Sequence, residues 1–254
     1  MSSSQSEVHI NNTFLGVLVV PFFNEGKRFK MHYFENLIGS IGYRNWTLLL
    51  VNDGSHDNTL ELLYQLADTS QCLILDLPKN VGKGNAVRLG MNEAMKLLPN
   101  LSHVGFLDSD GAFDIDDIRE LMSLTNNIDV DCFVGSRIKM AGTDIYRSAL
   151  RHVIGRIIAT LLNFLVLKTS IYDPQSGLKI FKVSENLKSS LSLPFKTKWF
   201  GDVELISRLW AFQDLEIRES PLATWKDVDG GNLKISSVFA VARELLVIFR
   251  SCKA

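Results

Sequence analysis

The sequence predicts an α/β fold built on a mostly parallel sheet. Through the first half, short runs that are apolar on both faces alternate with helix-like segments, the pattern of strands covered by helices on both sides. The polar and acidic residues of that half collect just after the apolar runs, at Asn24-Glu25, Asp53, Asp108/Asp110 and Ser136-Arg137. In an open α/β sheet, ligands bind beyond the carboxyl ends of the strands. With 254 residues, 46% of them hydrophobic and 22% charged, the chain can bury a substantial core.

The elements follow in order. Leu15–Phe22 is the first strand and Lys27–Ile41 a helix. Trp46–Val51 is a strand running into Asn52-Asp53-Gly54-Ser55, and Asp57–Ala67 a helix capped by Asp57 or Asn58. Cys72–Leu77 is a strand, and Lys83–Leu98 a helix that Pro99 ends. Val104–Leu107 is a strand running into Asp108-Ser109-Asp110, followed by a helix over Asp114–Thr125 whose first turn carries Asp114, Asp116 and Asp117. Asp131–Gly135 is the next strand. The second half opens on one long helix, Tyr146–Lys168. A loop, Asp173–Gly177, leads into a strand at Leu178–Phe181. Asp202–Phe212 is helical, Leu215–Trp225 alternates like one strand, and Ile235–Arg250 is a final helix.

Charge excludes one class. The 27 Lys+Arg against 28 Asp+Glu leave a net charge of −1, too balanced for a broad basic face, so no nucleic-acid partner is expected. Three cysteines, Cys72, Cys132 and Cys252, are widely spaced without a CxxC, which argues against a disulfide framework or zinc site. The polar start, 1–13, is expected to be disordered. It lacks the order of a signal peptide, and a reducing setting follows. No apolar run reaches the roughly 18 residues of a spanning helix. Mean hydropathy is +0.09, slightly oily for a purely soluble enzyme.

Asp108 and Asp110 stand two apart at a strand end, so their side chains share a face. Two carboxylates facing one way suit Mg²⁺ or Mn²⁺ that also touches phosphate oxygens. Such an ion stabilises a departing diphosphate. Alone, a DxD is usually just a loop or helix start. Lys83 lies in Asn80-Val81-Gly82-Lys83-Gly84-Asn85, where glycines permit close backbone approach and a helix N-terminus offers positive charge. That segment is neither the Rossmann fingerprint nor a P-loop, and by itself it suits a tight turn better than a phosphate cradle. The five histidines show no metal-ligand spacing. Trp199 and Trp225 either line the site or pack.

Taken in order, Pro21-Phe-Phe-Asn-Glu25, Val51-Asn-Asp53-Gly-Ser55, Asn80-Val-Gly-Lys-Gly84, Asp108-Ser-Asp110-Gly-Ala112 and Gly135-Ser-Arg137 resemble glycosyltransferase family 2, of GT-A fold. Asp173-Pro-Gln-Ser-Gly177-Leu-Lys-Ile-Phe181, Trp199-Phe-Gly-Asp202-Val-Glu204 and Glu219-Ser-Pro-Leu-Ala-Thr-Trp225 look like the polyprenyl-phosphate glycosyltransferases, and within them the dolichyl-phosphate β-glucosyltransferases. The mannose synthases carry Gln where this chain has Ala112. The resemblance runs from about Leu15 to Arg250.

It implies one GT-A domain over 14–254, with 14–137 as the nucleotide-sugar and metal half and 138–254 as the acceptor half. Residues matching Pro21, Phe23, Glu25 and Asp53 hold the base and ribose, with Lys83 and Ser109 near the diphosphate. Asp108 and Asp110 hold Mg²⁺ or Mn²⁺. Arg137, with basic residues near Arg147 and Arg151, handles the acceptor phosphate. Asp173 and Asp202 match acidic positions near the sugar, and the match leaves open which of them, if either, acts as a base. Asn52 departs from the Asp of many members, and the family's frequent transmembrane helices are missing. The resemblance leaves room for a small membrane-protein partner or a homo-oligomer.

The residues suit that chemistry. A lipid monophosphate, with a second pKa of about 6, is already nucleophilic at neutral pH and needs cations to position it more than a base. Arg137, Arg147, Arg151 and Lys168 supply them, and no acid lies between Ile145 and Tyr172. One displacement at the anomeric carbon inverts an α-linked donor to a β-linked product. Helices 146–168 and 235–250 each set a wide apolar arc against a polar one. Such faces pack on a sheet or lie in a bilayer interface, and the resemblance favours the interface for part of both.

The expected activity is transfer of a hexose, glucose from UDP-glucose first, onto dolichyl or undecaprenyl phosphate at the cytoplasmic face of a membrane. The alternatives are a glycan or protein acceptor, GDP-mannose as donor, a nucleotidyltransferase, or a nucleotide-sugar-binding module without catalysis.

Overall fold

The computed structural model describes residues 14–146, 149–167, 170–197, 200–212, 214–226 and 244. The predicted disordered start and, apart from Glu244, the predicted helix 235–250 lie outside them.

The sheet has seven strands: β1 (Gly16–Phe22), β2 (Trp46–Asp53), β3 (Leu73–Leu77), β4 (His103–Leu107), β5 (Cys132–Ser136), β7 (Leu178–Lys182) and β8 (Ile217–Pro221). They lie in the order β3-β2-β1-β4-β7-β5-β8. All run one way except β7, which is antiparallel to both β4 and β5. A two-strand parallel ribbon pairs β6 (Asp144–Tyr146) with β9 (Thr224–Lys226). The helices are α1 (Met31–Gly42), α2 (Thr59–Thr69), α3 (Lys83–Leu97), α4 (Ile115–Leu124), α5 (Ala149–Leu162), α6 (Glu185–Leu191) and α7 (Gly201–Trp210). A π-helical turn, Asn163–Leu167, follows α5 directly. The α/β expectation with a mostly parallel sheet holds.

Strand alternation divides the core in two. Val17, Val19, Leu49 and Val51 face α3, α6 and α7, where Ala86, Met91, Leu191 and Val203 meet them. Leu18, Val20, Leu48 and Leu50 face α1, α2 and α4, against Phe34, Leu37, Leu63 and Ile118. Both faces are covered, which is why these strands read as continuous apolar runs.

Three expectations need correction. Predicted from Lys27, α1 starts at Met31, because Arg28 N–H closes a turn on the Glu25 carbonyl at 2.8 Å. The single strand predicted over Leu215–Trp225 splits at Pro221, which lacks an N–H. Leu222 N–H then bonds Ser136 O at 2.9 Å, and the next two N–H groups turn to the Asp117 carboxylate at 2.8 and 3.1 Å. The long helix predicted over Tyr146–Lys168 gives Tyr146 to β6 and its last described turn to the π-helix.

Candidate active site

The carboxyl ends of the parallel strands form one edge of the sheet. Since β7 runs backwards, its leading loop Asp173–Gly177 reaches the same edge. A cleft of about 740 Å³ opens there, between the loops after β1 and β2, the start of α3, the Asp108 loop and the start of α7. Of the residues singled out from the sequence, Pro21, Phe23, Glu25, Asp53, Lys83, Ser109 and Asp202 line it.

Hydrogen bonds between the loops after β1 and β2 shape the first wall. Asn24 N–H donates to Ser55 Oγ at 3.0 Å, His56 N–H to Asn24 Oδ1 at 2.9 Å, and Glu25 N–H to Thr59 Oγ1 at 2.8 Å. Asn58 is the N-cap of α2 and makes no side-chain cap bond, while Asp57 before it accepts from Thr59 N–H at 3.0 Å. Asp53, at the end of β2, accepts from Val81 and Gly82 N–H at 2.7 and 3.0 Å and from Asn80 Nδ2 at 3.0 Å. Burial pushes its carboxyl above the usual carboxylate range, and those N–H groups pull the other way. Burial also raises Glu25, against the pull of Arg28 at 2.7 Å. Asn52 has a structural partner: its Nδ2 donates to Asp76 Oδ1 at 2.7 Å across β2 and β3, where an aspartate would face a second carboxylate.

The acidic pair sits on the loop after β4. Asp108 is held by its neighbours: its N–H donates to Gly177 O at 2.9 Å, and a Cβ built on Gly177 would stand 2.2 Å from the Asp108 Cγ. Only glycine admits this approach. Asp110 Oδ1 accepts from Ala112 N–H at 3.0 Å. Burial and then the charge of Asp108 push the Asp110 carboxyl above its usual range. The Lys83 ammonium lies 2.6 Å from Asp108 Oδ1. Burial works to lower the Lys83 pKa, but Asp108, Asp202 and Asp110 prevail and raise it. Asp108 Oδ1 is closed to solvent and receives no aligned hydrogen bond. A shielded carboxylate oxygen whose close partner is the mobile Lys83 ammonium, beside a second carboxylate that burial penalises, fits a hard divalent cation. Among the described residues no three His, Cys, Asp or Glu side chains converge on one metal position.

Behind the Gln175–Gly177 and Asp202 lining, acids pair with cations; Arg137 and Asp173 do not themselves line the cleft. Arg137, just past β5, grips Asp173 through Nε at 2.6 Å and NH2 at 2.8 Å, and adds its backbone N–H at 3.1 Å. Its NH2 also donates to Gln175 O at 2.9 Å, and the guanidinium lies 5.2 Å from the Trp225 ring centroid. Trp225 is buried and packs there. Asp202, in the first turn of α7, accepts from Lys179 Nζ at 2.8 Å. Of the three basic residues assigned to an acceptor, Arg137 is already engaged by Asp173, and Arg147 lies outside the described residues. Arg151 falls in the first turn of α5, and its side chain is not described. Trp199 lies outside as well.

The sequence reading missed two organising residues. Lys179 on β7 is fully buried and ties Asp202 to the Ser176 carbonyl, 2.6 Å from its Nζ. A lysine inside the apolar run Leu178–Phe181 was the available signal. Glu219 on β8 accepts from Ser136 Oγ at 2.9 Å and from Tyr172 and Asp173 N–H at 2.6 and 2.9 Å, so it sets the loop that carries Asp173.

The glycosyl transferase family 2 profile matches residues 17–186. The chain belongs to glycosyl transferase family 2. Among its relatives, the dolichyl-phosphate β-glucosyltransferase ALG5C of Trichomonas vaginalis is 32% identical over 91% of this chain and 69% of its own length. The dolichyl-phosphate β-glucosyltransferase of Saccharomyces cerevisiae is 28% identical over 92% of this chain and 74% of its own. In fold, this family 2 chain resembles the glucosyl-3-phosphoglycerate synthase of Mycobacterium tuberculosis, solved with Mn²⁺, UDP and phosphoglyceric acid. The TM-score is 0.67 at 16% identity, over 94% of this chain and 78% of that one. The same enzyme has been solved with Mg²⁺ and UDP, at a TM-score of 0.66. The expectations of family and GT-A fold are met.

Proposed function

We propose that this protein transfers glucose, with inversion, from UDP-glucose to dolichyl phosphate at a membrane surface, with a divalent cation at Asp108 and Asp110. The observation that carries the reading is the cleft itself, a nucleotide-sized space lined by Ser109, which stands between Asp108 and Asp110, with one Asp108 oxygen closed to solvent. Relatives named for this activity across most of the chain support it, as do the UDP complexes among proteins of the same fold.

Pro21, Phe23, Glu25 and Asp53 form the nucleoside end. Asp53 is fixed by three donors, which leaves it free to accept from a base N–H without reorganising. Lys83 and Ser109 flank the diphosphate, and the bound cation supplies Lewis-acid stabilisation of the leaving group. Asp202, oriented by Lys179, accepts from sugar hydroxyls. Arg137 and Asp173 neutralise one another and hold the Gln175 carbonyl at the sugar end. The acceptor phosphate is its own nucleophile near neutral pH, so no carboxylate has to take a proton. Arg147 and Arg151 position it.

The surface supports a peripheral attachment. No helix among the described residues is long and apolar enough to cross a membrane. Yet α5 and its π turn expose Val153, Ile157, Leu161 and Phe164 along one stripe, while Arg156 and Asn163 turn inward to bond the Tyr172 and Ile171 carbonyls. An apolar face turned outward with polar residues turned inward suits a lipid surface.

The test is incubation with labelled UDP-glucose, Mg²⁺ or Mn²⁺ and dolichyl phosphate in vesicles. A labelled lipid product with a β linkage is expected. Transfer only to a soluble glycan, or none with any common sugar nucleotide, would overturn the reading.

A further inference from the structure

Lys83 opens α3 with its ammonium 2.6 Å from Asp108 Oδ1. That oxygen has no aligned hydrogen bond and no access to water, so the ammonium holds both the space and the charge that a coordinated cation needs. The two partners differ in mobility. The Lys83 side chain as a whole is 55% exposed, although its ammonium is sunk among carboxylates where burial is felt, and its stem is flexible. Asp108 is pinned through its backbone and the close face of Gly177. Lys83 is therefore the member of the pair that leaves.

We propose that Lys83 makes cation and diphosphate binding depend on one another. In the free protein its ammonium competes with a divalent cation for Asp108, and a diphosphate entering the cleft draws the ammonium away and frees the carboxylate. The proposal rests on the donor-site reading above. Lys83 lines the same cleft as Ser109 and Gly84, so a polyphosphate there is within the sweep of its side chain. Linkage makes the effect reciprocal: the factor by which diphosphate raises cation affinity is the factor by which the cation raises diphosphate affinity. The arrangement disfavours a tightly held cation in an empty site.

General electrostatics provides the competing explanation, since any nearby lysine weakens cation binding. Lys30 separates the two. It is exposed and reaches the Gly111 carbonyl at 3.4 Å without touching Asp108.

The experiment titrates the full chain with Mn²⁺ alone, with UDP present and with uridine present, reading free Mn²⁺ by electron paramagnetic resonance. The wild type is expected to bind Mn²⁺ at least about 5-fold tighter with UDP, the lower end of ordinary coupling, and to show no gain with uridine. Lys83→Met is expected to bind Mn²⁺ alone at least about 5-fold tighter than wild type, with a smaller gain from UDP than the wild type shows, the remainder being direct coordination by the diphosphate. Lys83→Arg keeps the wild-type pattern, and Lys30→Met has a smaller effect than Lys83→Met. Unchanged thermal midpoints exclude a folding defect. If Lys83→Met binds Mn²⁺ alone no tighter than wild type, or no tighter than Lys30→Met, the competition is overturned while the donor site stands. If the wild type takes up no Mn²⁺ even with UDP, the donor-site reading falls and this proposal with it.

Discussion

Arg137 and Asp173 form a forked ion pair, with Nε and NH2 of the guanidinium 2.6 and 2.8 Å from the two carboxylate oxygens. Their side chains are only 14% and 8% exposed. Burial works to lower the Arg137 pKa, and the hydrogen bonds and charge of Asp173 more than offset it. Removing either partner leaves the other charged and buried. Arg137→Met is therefore expected to destabilise the fold by about 3–5 kcal/mol, measured by urea unfolding. Arg137→Lys keeps the charge but loses the fork and should fall between the two. If Arg137→Met unfolds with wild-type stability, the pair does not hold the Asp173–Gly177 loop.

Gly177 permits a close approach to the acidic pair. The Cβ of Gly177→Ala would overlap the Asp108 carboxyl, at 2.2 Å from Cγ. The loop or the carboxylate must shift by something near an ångström, and displacements of that size cost ~100-fold in rate. Glucosyl transfer by Gly177→Ala should fall by about that factor while circular dichroism stays native. Wild-type transfer would show that Asp108 tolerates the shift and is not a cation ligand.

Sequence legibility followed coverage. The first five strands were readable because helices cover both of their faces, and the polar residues after them marked the cleft edge. The antiparallel direction of β7 was not readable: Leu178–Phe181 looks the same in either sense, and only its pairing with β4 and β5 sets it. The short elements β6 and α6 carry too few residues for a period to show. Types of site residue were legible, but their partnerships were not. Arg137 and Asp173 are 36 residues apart, and nothing local couples them. Lys179 broke an apolar run visibly, yet its partner Asp202 lies on another element.

Asp110 carries a cost that the free protein bears. Burial first, and then the Asp108 charge, raise its carboxyl pKa above the ordinary range. The folded chain thus binds this proton more tightly than the unfolded chain. Through this group, stability of the free protein rises as pH falls from neutral into the window just above the usual carboxylate range. Asp110→Asn should flatten that rise and increase the thermal midpoint at neutral pH, by about 2–4 °C per kcal/mol at this chain length. It should also abolish transfer, the trade expected of a site built for charge rather than stability. Calorimetry from pH 5 to 8 with and without Mn²⁺ and UDP checks both effects. An Asn variant less stable than wild type at neutral pH would contradict the burial cost.

The outward stripe of α5 makes a separate demand. Phe164 is 81% exposed and Ile157 56%, while Ala159 and Leu162 of the same segment are buried in the protein. Inward anchoring by Arg156 and Asn163 fixes this orientation, because turning the stripe inward would strip the Tyr172 and Ile171 carbonyls of their donors. Glutamates at Ile157 and Phe164 therefore sit in solvent in the free protein and leave the fold unchanged. On a bilayer the same charges oppose insertion, and each apolar side chain lost removes up to about 1.5–3 kcal/mol of burial. The double variant Ile157→Glu, Phe164→Glu should lose roughly 100-fold or more in partitioning to vesicles containing anionic lipid, since each 1.4 kcal/mol is tenfold. Its thermal midpoint and its binding of UDP with Mn²⁺ should match the wild type. Vesicle sedimentation decides it: equal partitioning of variant and wild type would remove α5 from the membrane contact, and a lowered midpoint would mean that the stripe packs against protein instead.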